Sequence, residues 1–346
     1  MRITVIDAGG EIPAATNAAA GMLAPSFESR AGSAALYEFG VKSLAMWPAF
    51  AAALEDETGQ SVDFRADGVL GVAFDEAQTA ALRIECADLQ ARGADVEMLS
   101  GEEARALEPA LSGAIVSALH APGDAQADPR RLLAALHASF EKAAGIFTAG
   151  RVVAIEAKAA RVSLRLADGA RIDTEKAIIA NGAAAGLLNG IAPSVFPVKG
   201  EALALAMPEG AFRKVIRAPG AYLCPKAGGR LVIGATEYEG RADYDVDAAA
   251  VAAMVANGAR AVPAVADYAE LERWAGLRPA TPDGAPILGR DADGPENLYL
   301  ALGHYRNGIL LAPASAEALC DLIMGRKPVT DLKPFRPERF AGGRHG

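Results

Sequence analysis

Residues 1–28 read MRITVIDAGGEIPAATNAAAGMLAPSFE. Residues 3–6 (ITVI) are an apolar, β-branched run that reads as a buried strand, and Asp7 closes it. An acid ending such a strand can accept hydrogen bonds from both hydroxyls of a ribose, as in the second strand of a dinucleotide-binding unit. It can equally be a turn residue before Gly9-Gly10. Residues 16–22 (TNAAAGM) carry side chains small enough for the backbone to approach a flat ring or a pyrophosphate, or for a helix start to pack tightly.

Outward from this start, helices and strands alternate along the chain. Leu36, Phe39, Val41, Leu44, Met46, Trp47, Phe50 and Leu54 give residues 34–58 helical spacing. Residues 62–64 and 68–74 read as strands, 76–92 as a helix with Gly93 at C′, and 114–120 as a strand. Ser100 and Glu103 form a capping box, and Asp128-Pro129 starts a helix through Lys142. Short β runs follow at 152–155, 162–166, 177–179, 202–206, 221–224 and 230–235, then a helix over 247–260 and a strand over 270–277. A strand at 299–301 leads through a glycine turn into a long helix. The tail from Lys333 is expected to wrap a surface. No repeat of 20–50 residues is found.

Composition sets the bounds. A chain of 346 residues with 51% hydrophobic and 22% charged residues describes an ordinary globular protein. The net charge of −9 argues against nucleic acid and anionic membrane as partners. The three cysteines, Cys86, Cys224 and Cys320, are far apart and suit a reducing cytoplasm. The four histidines form no metal-spaced cluster, so no metal site is expected. There is no apolar run long enough to span a membrane, and no signal segment is evident. Nucleotide-type elements at the start, middle and end point to an α/β (α+β overall) architecture: a Rossmann-like domain from 1–60, 127–195 and 276–346. An antiparallel-sheet substrate domain from 61–126 and 196–275 interleaves with it.

Two later motifs carry chemistry. In RPATPDGAPILG, Arg278 lies just after the expected strand, where a guanidinium can grip a carboxylate through two bonds, or be an ordinary surface arginine. In GHYRNGILLAP, Gly303 and Gly308 flank four polar or aromatic residues and an apolar helix follows. Backbone N–H groups and the helix dipole there face an electron-rich group.

Together VIDAG, TNAAAGMLAP, PVKGE, YLCPK, LVIGATE, WAGLRPATPDGAPILG and GHYRNGILLAP closely resemble the glycine oxidases of thiamine biosynthesis, within the FAD-dependent D-amino acid and sarcosine oxidase family. The resemblance runs from Ile3 to about Gly325, and GHYRNGILLAP with WAGLRP is particular to the glycine oxidase branch. It implies FAD as cofactor. Asp7 and Ala8 would hold the adenosine ribose, Ala15 and Thr16 the pyrophosphate, and Val152 the adenine. Ala20, Gly21 and Met22 would lie near the isoalloxazine. Gly303, His304, Tyr305, Arg306, Asn307, Gly308, Ile309 and Leu310 would line the flavin. Arg278 would clamp the substrate carboxylate, Tyr222 would add a hydroxyl, and Arg306 would sit near substrate. No residue is assigned as a catalytic base, which suits hydride transfer from a neutral amine.

The resemblance further implies a strand, a G-x-G-x-x-G turn and a helix before Ile3, roughly 25–30 residues. The expectation is a start codon placed too late and a chain that, as written, binds flavin poorly or not at all. The implied reaction is oxidation of glycine, sarcosine or small D-amino acids by O2, giving glyoxylate, ammonia and H2O2 or an imine for thiazole synthesis. A D-amino acid dehydrogenase with another acceptor, or a flavin-free remnant, stays open, as does a homo-oligomer.

Overall fold

The computed structural model describes residues 2–9, 14–28, 34–158, 161–187, 195–290 and 295–343. Its centre is a nine-stranded sheet that joins strands from two distant parts of the chain. Strands Val69–Ala73, Glu97–Ser100 and Ser117–Ala121 form one end. Strands Phe196–Ala206, Val215–Ala218, Ala221–Lys226, Arg230–Gly234 and Glu270–Ala280 form most of the rest, with the short Tyr238–Glu239 at an edge. The two groups join where Val69–Ala73 runs parallel to Val215–Ala218, Val69 beside Val215.

The long partners Phe196–Ala206 and Glu270–Ala280 are antiparallel, with Val198 opposite Arg278, Gly200 opposite Gly276 and Ala202 opposite Trp274. Because side chains alternate across a strand, these six residues share one face. Helix Ala248–Ala261 contributes Val251 and Met254 to the core on one side of the sheet, with Leu203, Leu223 and Ile233. Ala24, Phe27 and Val69 belong to the core on the other side.

A second layer surrounds helix Ala34–Thr58, which buries Leu36, Phe39, Ser43, Trp47, Ala51 and Leu54 at three- and four-residue spacing. Helices Pro129–Lys142 and Ala312–Ile323 pack on it, through Leu132, Ala314 and Leu319 among others. Phe335 from the tail sits in the same core at 1% exposure, its ring 5.0 Å from that of Phe39. The tail thus supplies a core residue as well as running over a surface.

Local signals match the expected starts and stops. Ser100 and Glu103 form the reciprocal cap, Asp128 accepts from the backbone of Arg130 at 2.9 Å, and Gly93 adopts φ +80°. Three readings change. Residues 62–64 form no strand: Asp63 takes φ +53°, which breaks the extended run, and its carboxylate accepts instead from Ala227 N at 2.8 Å. Strand Thr4–Asp7 forms but is exposed rather than buried, because among the described residues it pairs only with Ile146–Ala149. Arg278 stands inside a strand, not after it, because pairing with Phe196–Ala206 continues to Ala280.

Candidate active site

One pocket lies where the turn after the first helix meets the glycine face of the sheet. Residues Ala18, Ala19, Ala20 and Gly21 form one wall, and Gly200 with Gly276 forms the floor. The wall approaches closely because nothing projects from the floor: a Cβ on Gly276 would lie 2.3 Å from Ala18 Cβ. Trp274 Nε1 donates to Ala18 O at 3.1 Å and fixes the wall to the sheet. Gly21, at φ +77°, is a crossing point, since a Cβ there would come 2.1 Å from Ala127 O.

Charge is concentrated at the other end. Arg306 Nε donates to Glu28 Oε2 at 2.5 Å, and Arg217 Nη1 lies 3.3 Å from Glu28 Oε1. Glu28 is 7% exposed. Burial alone would raise its pKa, but the charges of Arg217 and Arg306 outweigh that and hold the carboxyl below the usual range. Arg306 Nη1 also donates to Glu237 Oε2 at 2.9 Å.

Arg278 is different. Its guanidinium lies over Gly200, where a Cβ would come within 2.2 Å of Nη1, and it donates to Thr236 O at 3.2 Å. Among the described residues no carboxylate pairs with it. Tyr222 lines the same pocket, and burial pushes its phenol up, so that it stays protonated and a donor at neutral pH. His304 is pushed down to about 4 by burial and is therefore neutral; its Nε2 lies 3.1 Å from Ser315 Oγ.

The structure brings Ala15, Ala20, Gly21, Met22, Tyr222, Arg278, Tyr305, Arg306 and Ile309 to this pocket. Thr16 sits in the short helix Ala15–Ala18 beside it, its carbonyl accepting from Ala19 N. Gly303, at φ +67°, begins the turn that carries His304 and Gly308. Asn307 is buried within that turn, and Leu310 faces the helical core, its carbonyl accepting from Ser43 Oγ and Trp47 Nε1. Asp7, Ala8 and Val152 lie at a separate place, where Gly150 N donates to Asp7 O at 2.8 Å and joins the two strand ends. Asp7 Oδ1 accepts from Gly9 N at 2.7 Å.

Reading the sequence missed Glu28, Arg217, Thr236 and Glu237. Glu28 ends the opening stretch LAPSFE, and the other pair closes LVIGATE, but nothing local marks an ion pair between residues 278 positions apart.

The residues present fit a flavin. The wall at 18–21 offers nothing larger than a methyl, so a flat ring can approach its backbone. Asn307 Oδ1, in the turn that lines the pocket through Tyr305, Arg306 and Ile309, is buried without a hydrogen-bond partner among the described residues.

Comparison with known proteins agrees. The model of the family described as FAD dependent oxidoreductase matches residues 1–322. Glycine oxidase of Geobacillus kaustophilus is 33% identical over 347 residues, 99% of this chain and 91% of that protein. Its crystal structure superposes with a TM-score of 0.91 at 32% identity, covering 98% of this chain and 92% of that one. The bifunctional protein ThiO/ThiG of Synechocystis is 33% identical over 334 residues, 94% of this chain and 48% of that protein. A match of this extent places the chain in the FAD dependent oxidoreductase family, as an enzyme whose cofactor is FAD.

Proposed function

We propose that this enzyme oxidises glycine and other small amino acids, sarcosine and small D-amino acids among them, with O2 as acceptor. The observation that carries the reading is Arg278: a guanidinium in a small-walled pocket, without a carboxylate partner among the described residues and flat against Gly200. Such a group binds an incoming carboxylate through two charge-assisted bonds. Similarity to glycine oxidases at 33% identity supports glycine as substrate. Similarity to a bifunctional ThiO/ThiG protein supports a role in supplying the thiazole of thiamine.

When bound, FAD supplies the hydride acceptor. Ala20, Gly21, Met22 and the 303–310 turn would hold its ring, and Asp7, Ala8 and Val152 its ribose and adenine. Ala15 and Thr16 would face the pyrophosphate. We assign segments 1–60, 127–195 and 276–346 to holding FAD and 61–126 with 196–275 to substrate. Arg278 fixes the substrate carboxylate, and the Tyr222 hydroxyl donates a further bond to it. Orientation supplies most of the rate. The balanced reaction is glycine, O2 and water to glyoxylate, ammonia and H2O2.

The test is turnover of glycine by the FAD-loaded protein, followed as glyoxylate and peroxide. Arg278→Ala should raise KM by about 30- to 1000-fold, the ~2–4 kcal/mol of a lost charge-assisted pair, with FAD content unchanged. An unchanged KM removes Arg278 from the site. Dye reduction without peroxide replaces O2 by another acceptor.

A further inference from the structure

Thr236 and Glu237 end the motif LVIGATE and lie across both guanidiniums of the pocket. Thr236 O accepts from Arg278 Nη1 at 3.2 Å, and Glu237 Oε2 accepts from Arg306 Nη1 at 2.9 Å. The Tyr305 hydroxyl donates to Glu237 Oε1. The segment is not loose. Glu201 N donates to Thr236 Oγ1 at 2.9 Å, and Thr236 N donates to Glu201 O at 3.3 Å. A guanidinium edge and a phenol hydroxyl are thus arranged around a carboxylate, and the chain itself provides that carboxylate.

We propose that Glu237 is a specificity-determining residue: it fills a second carboxylate position on Arg306, at the edge of the pocket, and so restricts the enzyme to substrates with one carboxylate. Among the described residues, Arg217 and Arg306 meet Glu28, Arg306 also meets Glu237, and Arg278 meets no carboxylate, which leaves its guanidinium for one substrate carboxylate. The adjoining set of Lys199 and Arg241 with Glu201 and Asp243 balances within itself, Lys199 Nζ standing 3.1 Å from Glu201 and 2.5 Å from Asp243.

Of the two glutamates Glu237 is the more accessible. The Glu28 side chain is 4% exposed and held from two sides, whereas that of Glu237 is 42% exposed. A ligand with two carboxylates must displace Glu237 or meet its charge; removing that charge opens an edge of Arg306 to the second carboxylate.

The inference rests on Arg278 as the receptor for the substrate carboxylate, and the experiment separates the two. The FAD-loaded protein is titrated calorimetrically with acetate and with malonate, in native form and as Glu237→Gln, Glu237→Ala and Glu239→Gln. Glu239→Gln removes the same charge two residues away. In both Glu237 variants the Kd for malonate should fall at least tenfold while that for acetate moves less than threefold; Glu239→Gln should shift neither. Equal shifts for the two ligands, or an unmoved malonate Kd in both Glu237 variants, overturn the role of Glu237. Arg278→Ala titrated with acetate reports on the receptor alone: an unchanged Kd overturns that reading, whatever Glu237 does.

Discussion

Gly200 and Gly276 stand directly opposite each other on neighbouring strands, and each leaves its space to a different occupant. The Arg278 guanidinium lies where a Cβ of Gly200 would be, at 2.2–2.5 Å, and Ala18 Cβ lies 2.3 Å from where that of Gly276 would be. One glycine pair therefore seats the Arg278 guanidinium and the Ala18 wall side by side.

The two substitutions should separate kinetically. Gly200→Ala should raise KM for glycine by about 5- to 150-fold, the ~1–3 kcal/mol of an overpacked site, with FAD content kept. Gly276→Ala should weaken FAD by a similar factor in a flavin fluorescence titration. Identical effects of both on KM and FAD affinity would contradict the division.

Glu28→Gln removes the buried charge that compensates Arg217 and Arg306. Stability should fall by about 3 kcal/mol, read from the urea midpoint at constant slope. A loss below about 1 kcal/mol would mean that the two arginines find other compensation.

Leu310 O accepts from both Ser43 Oγ at 2.7 Å and Trp47 Nε1 at 3.0 Å, which pins the 303–310 turn to helix Ala34–Thr58. Ser43→Ala should cost about 1 kcal/mol and Trp47→Phe about 2 kcal/mol. The double variant should exceed their sum by at least ~0.5 kcal/mol, because the singles share one acceptor. Strict additivity in thermal or urea unfolding would show the bonds to be independent.

Burial pushes the Asp124 carboxyl up to about 7, against the bonds it accepts from Ser26 and the charge of Arg217. The native state therefore holds a proton that the unfolded chain, at 3.8, releases, so this group lowers stability as pH rises from about 4 to 7. The full difference is up to roughly 4 kcal/mol. Asp124→Asn should flatten that part of the profile and gain most, relative to native, above pH 7. Parallel stability–pH curves for the two proteins would exclude Asp124 as the source.

What the sequence made legible was local. The Ser100–Glu103 box, the Asp128-Pro129 start and the apolar spacing of residues 34–58 act within a few turns of chain, and each appears in the fold. Asp63 went unread because its backbone is decided by a bond to Ala227, 164 residues away. In the site, Arg278 and Tyr222 were legible from motifs resembling known ones. Glu28 and Glu237 were not, since their meaning lies in Arg306, which only the folded chain brings beside them.

The composite sheet also sets a timetable for synthesis. Val69 pairs with Val215, so strand Val69–Ala73 waits for 146 further residues (215 − 69) before its parallel neighbour exists. At about 5–20 residues per second this is on the order of ten seconds on the ribosome. Meanwhile the antiparallel pair of Val69–Ala73 and Ser117–Ala121 carries a fully apolar strand with an open edge. A nascent chain of this design needs an early escort, and its yield in a host will follow chaperone supply and growth temperature more closely than the stability of the finished enzyme.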